Sequence, residues 1–573
     1  IALALTCAPG GAPQNPPPQS SAQAANPQAS QPALHSVTRL VQVNVIVQNK
    51  KGEPVTDLTK DDFEIFDQGK PQAISVFSME SARILEAPTT PLASNVYTNR
   101  IDMQGGIPAS ITVILIDALN TRFTDMTYAR RELTKYLKQI QPQDRVAIYG
   151  LTDRLKVIHE FTNDATSLIA SLNRTISPDT PQISAPDPDP SNTGDDDLDA
   201  FLDFANQQMS DAMTVDRAAT TAKALQSIAN HIARLPGRKN LIWLSAGFPI
   251  DFGLDEMSPN STRDARSFSE DIERAARSLN DADVAIYPVD ARGLIGLSSL
   301  MSASSQGPTL TSSNSPAPSS VLARGRSAAP ARTPANVPQL APNPKIFDTM
   351  NILAERTGGR AFYNSNDIQG AIRRAIDDSR VTYVLGFNPD HGNWNGKFRE
   401  IKIKVMRPDT NIRYRRGYFA LADEAPADEQ KRAAQVGQAI NFPLNSTTLG
   451  LTVAAKPVDV PGAETLKITV SVQARDVVFH QQGDRMIGTV DIYFVQLGDK
   501  ERIVSGENRI INAALPPQNY ENLLSSGAVN LPVDVHISPG AKVLRIFAQD
   551  AGSESVGSVT IPLLKLFPNL AQN

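Results

Sequence analysis

Asp117 stands at the end of the apolar run Ile111–Ile116, and Asn120 and Thr121 follow it closely. A carboxylate at the carboxyl end of a buried parallel strand falls in the crevice where open α/β sheets hold their ligands. Its plainest role there is structural: it caps the next helix or accepts backbone N–H groups at the turn. Asn120 and Thr121 suit the local side-chain hydrogen bonds of such a turn. Ser245, in Leu244-Ser245-Ala246-Gly247, comes nearest to a nucleophile elbow, but the Gly that opens that motif is missing. His159 falls at a strand end, and His231 sits between helical core positions on what reads as a helix surface. Neither His comes with the base-and-orienter pattern that activates a nucleophile. H-E-x-x-H, C-x-x-C, G-x-G-x-x-G and Walker patterns are all absent. The residues therefore predict a binding crevice, no reaction centre, and a protein that is not an enzyme.

The elements around Asp117 read as a βαβ unit. Ile111–Ile116 is short and apolar apart from Thr112, as expected of a strand covered on both faces. Met126, Ala129, Leu133, Leu137 and Ile140 recur at helical spacing until Pro142, and Arg145–Gly150 supplies the next strand. Leu155–Phe161 predicts a third strand, and Ala165–Asn173 a short helix. A long helix carries Leu225, Ile228, Ile232 and Leu235, and Pro236-Gly237 ends it before the strand Asn240–Leu244. Phe268, Ile272, Ala276 and Leu279 mark another helix, and Val284–Val289 another strand. Two final helices, on Ile346–Leu353 and Ile368–Ile376, flank a strand at Arg360–Tyr363. This alternation predicts a doubly wound, mostly parallel α/β sheet over 110–380. A Ser/Pro/Ala-rich insertion at 296–344 is too polar to bury. The run Asp195-Asp196-Asp197 lacks EF-hand spacing and reads as a solvated loop or a helix start.

Both flanks of this core are β-structure. Alternation through Val41, Val43, Val45 and Val47, with short strands near Phe63 and Ile74, makes a β module over 37–80 that is too small to stand alone. Strands over 381–422 are expected to complete it from the far side of the α/β core. A linker at 81–109 separates the module from the core. A second linker at 423–445 precedes alternating strands over 446–573, whose number predicts a β-sandwich. The opening residues IALALTCAPGGAPQ read as the end of a signal peptide, and a Pro/Gln-rich leader continues to residue 36. With Cys7 as the single cysteine and a candidate lipid attachment, the expectation is an exported protein, secreted or held in the cell envelope. A net charge of −5 over 573 residues argues against a nucleic-acid surface. No apolar run is long enough to span a bilayer.

Several blocks carry a family resemblance: VILIDALNTRFTDMTYARRELTKYL, QDRVAIYGL, GRKNLIWLSAGFP, AERTGGRAFYNSND, VTYVLGFNPD, GKFREIKIKV and YRRGYFA. Across Val37–Ala420 the chain resembles the von Willebrand factor type A (VWFA, vWA) related proteins of acidobacteria. The resemblance implies a vWA-like fold and a metal-ion-dependent adhesion site. In such a site an Asp-x-Ser-x-Ser loop, a distal Thr and a distal Asp hold Mg²⁺ above the sheet through oxygen ligands. Asp117 matches the first position, Leu119 replaces the first Ser, Thr121 stands in for the second, and Asn120 offers an amide oxygen. Ser245-Ala246-Gly247 takes the place of Thr-Asp-Gly, so that carboxylate is gone. Thr220 or Thr221 remains as the distal hydroxyl, inside a helix, and Asp251 and Asp290 lie past other strand ends. The resemblance thus implies a degenerate site in which Asp117, Asn120 and Thr121 would be the metal ligands. It also implies a binding crevice of Asp117, Thr121, Ser245, Asp251 and Asp290. The expected function is extracytoplasmic protein binding or scaffolding. The alternatives are a structural, self-associating subunit of a surface assembly or filament, and a divalent-cation-dependent adhesin. Trp394 is either a contact-loop aromatic or a half-buried hairpin residue.

Overall fold

The computed structural model describes residues 40–81, 93, 95–100, 110–141, 143–175, 196–235, 238–247, 261–293, 344–378, 380–390, 394–420, 437, 443–460, 463–553 and 555–567. Elements are numbered here within the α/β core alone. Its strands are β1 (Ser110–Asp117), β2 (Asp144–Leu151), β3 (Leu155–Thr162), β4 (Lys239–Ser245) and β5 (Val284–Asp290). Its helices are α1 (Phe123–Leu137), α2 (Ala165–Thr175), α3 (Asp196–Ile232), α4 (Ser261–Asp281), α5 (Pro344–Thr357) and α6 (Ile368–Asp377).

The strands form one sheet in the order β5-β4-β1-β2-β3. β1 pairs in parallel with β2 and β4, β4 pairs in parallel with β5, and β3 runs antiparallel to β2. The antiparallel edge follows from chain length, since Thr152–Arg154 can turn a hairpin but cannot carry a crossover. Ile111, Val113 and Leu115 face a core shared with α3, α4 and α5. Ile114 and Ile116 face the other core, shared with α1, α2 and α6. Alternate residues of one strand thus serve two layers, which is why β1 is apolar at nearly every position between Ile111 and Ile116. From β1 the chain crosses first toward β2 and later toward β4, so the topological switch lies between β1 and β4. Asp117 closes β1 at that point.

Residues Arg360–Tyr363, expected as a strand, touch the sheet at one residue only. Phe362 bridges β5, donating to the Pro288 carbonyl and accepting from the Asp290 N–H at 2.8 Å each. Asn364, at φ 54°, turns the chain away directly afterwards. The approach itself needs Gly359, where a Cβ would lie 1.8 Å from the Ile286 carbonyl oxygen.

On the N-terminal flank, Val41–Asn49 pairs antiparallel with Val381–Phe387 and with Thr410–Arg413. Phe63–Asp67 pairs with Phe398–Val405. Val43, Val45, Phe63, Ile65, Leu385, Ile401 and others close one apolar core between these strands. The region expected as linker at 81–109 contains the strand Val96–Thr98, which adds to the edge of Leu451–Val460. Asn99 anchors it, donating to the Ser446 and Leu449 carbonyls and accepting from the Leu451 N–H. Three residues carry no period, so pattern alone could not find this strand. Beyond residue 446, two antiparallel sheets enclose a single apolar core that includes Leu451, Ile468, Ile492 and Ile546.

Gly359→Ala should therefore destabilise the chain by more than about 2 kcal/mol, because the new methyl can be placed only by moving α5 off β5. Urea denaturation followed by circular dichroism measures this.

Candidate functional site

Asp117 is fully buried, and four donors converge on it. The Asn120 backbone N–H reaches Oδ1 at 3.0 Å. Oδ2 accepts from Asn120 Nδ2 at 2.9 Å, Trp243 Nε1 at 3.0 Å and Ser245 Oγ at 2.9 Å. Burial pushes the Asp117 carboxyl above its ordinary range, and the Asn120, Ser245 and Trp243 donors pull it back. All of these counter-effects come from neutral groups. The geometry is dictated by the sheet. Trp243 and Ser245 lie two apart on β4 beside β1, and the helix that follows Asp117 begins one turn later.

The knot extends outward through side chains. Asn120 Nδ2 also reaches Thr221 Oγ1 at 2.8 Å, and that hydroxyl donates to the Arg217 carbonyl within α3. Asn120 Oδ1 is buried without a hydrogen-bond partner among the described residues. That fixes the amide, because turning it over would set its oxygen against the carboxylate. Thr121 Oγ1 accepts the Ala246 N–H at 3.0 Å and so ties the β1 turn to the end of β4. Leu119 packs against the apolar core rather than facing the crevice. Asp290, opposite Ser245 in register, is held by Arg292 through Nε–Oδ1 at 2.9 Å and Nη2–Oδ2 at 3.0 Å. Asp117, Thr121, Ser245 and Asp290 are all buried. Asp251 lies outside the described residues.

A divalent cation needs oxygen lone pairs turned toward it. Here the Asp117 oxygens face N–H and O–H donors, the Thr121 hydroxyl accepts a backbone N–H, and Asp290 is neutralised by Arg292. Among the described residues no three His, Cys, Asp or Glu side chains converge. This donor set does not fit Mg²⁺.

The two histidines serve the fold. His159 bonds the Glu160 carbonyl and Ser167 Oγ at 2.6 and 2.7 Å. His231, expected on a helix surface, is buried: Nδ1 meets the Asn445 carbonyl at 2.6 Å, and its ring stacks on Phe161. Burial pushes its imidazole below the ordinary value. A neutral ring with its proton on Nδ1 satisfies that contact. The acceptor lies 214 positions further along, where no local pattern could reveal it. Trp394 is half-buried and packs on Tyr418, as in the plainer of its two readings.

A separate opening lies elsewhere. A groove of about 920 Å³ runs between β5, α5 and α6 on one side and strands Phe398–Val405 and Thr410–Arg413 on the other. Phe362 lies in its wall with the Arg360 and Arg374 guanidinium carbons each 5.4 Å from the ring centroid. Arg374 pairs with Asp367 and Arg416 with Glu355, at 3.3 and 3.4 Å. The Arg-rich run at 413–416 was visible in the sequence, but its convergence with Arg360 depends on strands from both flanks.

No family model matches the chain, and no curated protein does. Solved structures give distant likenesses. An aerotolerance-related membrane protein from Bacteroides fragilis is 16% identical over 47% of this chain and 98% of its own, with a TM-score of 0.22. BatB from Bacteroides thetaiotaomicron is 14% identical over the same shares, also at 0.22. A von Willebrand factor type A protein from Catenulispora acidiphila is 10% identical over 86% of this chain and 74% of its own, at 0.24. The α/β assignment rests on the strand order described above.

Asp117→Ala leaves the Trp243, Ser245 and Asn120 donors unpaired in a dry pocket, and should cost about 3 kcal/mol or more. Chemical denaturation of the purified variant measures that loss.

Proposed function

We propose that this chain is a non-enzymatic protein-binding or scaffold module, exported to the cell envelope or beyond. Its core would be vWA-like, with an adhesion site that has degenerated into a structural knot. One observation carries this reading: the Asp117 carboxylate, the Thr121 hydroxyl and the Asp290 carboxylate are already engaged within the protein. Ser245 supports the non-enzymatic part, since its hydroxyl is taken up by Asp117 and Gly247 and it has no histidine partner among the described residues. Partner contact is assigned instead to the groove beside Phe362, because cavities between packed modules are the usual place for recognition. Lys402 and Arg360 on its rim would select a partner segment carrying carboxylates.

The cation-independent part is tested by heat. A resident ion at a hundred times its dissociation constant would add about 2.7 kcal/mol of stability. The melting temperature in Mg²⁺, Mn²⁺ or Ca²⁺ should equal that in a chelator, and calorimetric titration should give no saturable heat. A saturable rise with any of the three would restore the adhesin reading. The binding part is tested by capture from the native envelope fraction. Arg360→Glu with Lys402→Glu should abolish capture of the partner, and Asp117→Asn should leave capture by the folded fraction unchanged.

A further inference from the structure

A small cavity of about 10 Å³ lies at the end of the core sheet opposite Asp117, where β4 and β5 begin. Its wall includes Arg238 just before β4, Asn280 at the end of α4 and Asp283 just before β5. Asn44 and Arg415 join them from the two flanks of the core. The α/β core and the β structure on either side of it in the chain therefore meet at this point. The space suits a single particle of about the size of water.

The wall is rich in donors that the protein leaves unused. Arg238 is 6% exposed and Asn280 is 3% exposed. Arg238 Nε, Arg415 Nε and Asn280 Nδ2 are buried without a hydrogen-bond partner among the described residues. What the two guanidinium groups do bond is neutral. Arg238 Nη2 donates to the Gly358 carbonyl at 2.5 Å and to the Tyr287 hydroxyl at 3.3 Å. Arg415 Nη1 donates to the Asn280 carbonyl at 3.1 Å, and Nη2 to the Gln42 carbonyl at 2.5 Å. Gly358 keeps both arginines close, since a Cβ on it would lie 2.7 Å from the Arg415 nitrogen.

Charge decides what belongs there. An arginine does not shed its proton to escape burial, so its charge has to be matched from outside the side chain. Asp283 is the acid in the wall, but Lys239 already draws on it. Burial pushes the Lys239 ammonium down to about 8, and the Asp283 and Glu80 charges work against that fall. Two guanidinium charges are then left facing neutral groups, a costly arrangement in a poorly hydrated place. A water molecule would accept from the Nε–H groups yet leave both charges unmatched. A small anion accepts the same hydrogen bonds and neutralises one of them. Sulfate, phosphate and carboxylates are too large for the space.

We propose that this cavity is a binding site for one monovalent anion of chloride size, held by Arg238 Nε, Arg415 Nε and Asn280 Nδ2. The ion ties the flanking β structure to the α/β core. The site shares no residue with the Asp117 knot or with the groove beside Phe362, and it does not rest on the binding role proposed for that groove.

The test is thermal unfolding of the full chain as sodium chloride replaces sodium gluconate at fixed ionic strength, gluconate being too large to enter. The wild type should gain roughly 2 °C or more in melting temperature, and the gain should saturate. Arg415→Gln should lose that gain. Arg509→Gln, which changes a surface arginine far along the chain, should keep it. The ³⁵Cl NMR line of the wild-type solution should broaden and narrow again as bromide is added, a readout that needs no variant to fold. Equal melting in chloride and gluconate would overturn the proposal in favour of a buried water. So would an undiminished gain in Arg415→Gln, or a ³⁵Cl line that bromide does not narrow. Chloride is held constant in the cation comparison above, so the two tests fail independently.

Discussion

The carboxylate of Asp117 sits at the sheet's switch point with only neutral donors bonded to it among the described residues, and the rest of the crevice is arranged to make that tolerable. A buried charge without a partner is among the most costly features a fold can carry. Trp243, Ser245 and Asn120 offset the cost with hydrogen bonds of ordinary length, and in doing so they join β1, β4 and the following turn. Asn120 extends the link to α3 through Thr221. The strand tips that would open around an ion are instead drawn together. The same geometry that stabilises the anion removes the lone pairs a metal would use, so stability and ion binding compete for one set of atoms. In this chain stability has taken them.

Much of the frame was legible from residues alone. The largely apolar β1, the helical spacing from Met126 to Leu137 and the strands ending at Ser245 and Asp290 all follow from period and from burial on two faces. So does the position of Asp117, because strand ends in such sheets point into the crevice. Its partners were not legible. Trp243 stands 126 residues away and looks like any core aromatic; its indole N–H matters only once β4 lies beside β1. The strand Val96–Thr98 was hidden because an edge strand of three residues has no pattern to read. The direction of β3 was fixed by the short turn at Thr152–Arg154 rather than by its composition.

The α/β core does not stand alone in the chain. Strands from before and after it pair with each other, so the β structure of the flank is completed only once the core's own ends are brought together. His231 and Arg234, at the end of α3, grip the segment that leads into the C-terminal sheets. His231 meets the Asn445 carbonyl, and Arg234 meets the Thr448 carbonyl and the buried Asp476 carboxylate, the last at 2.5 Å. Among the described residues these joints leave the groove beside Phe362 open. A scaffold needs such surfaces and a rigid frame behind them; it does not need an open metal site.

The knot at Asp117 can be watched through Trp243, one of only two tryptophans in the chain. With tryptophan labelled with ¹⁵N, the two indole N–H resonances are followed by NMR as Mg²⁺ is added. One strongly deshielded indole proton is expected, which Asp117→Asn moves and magnesium leaves in place at every concentration. A saturable magnesium-dependent shift of that resonance would mean that the carboxylate releases its donors to an ion, and would contradict the account at its centre.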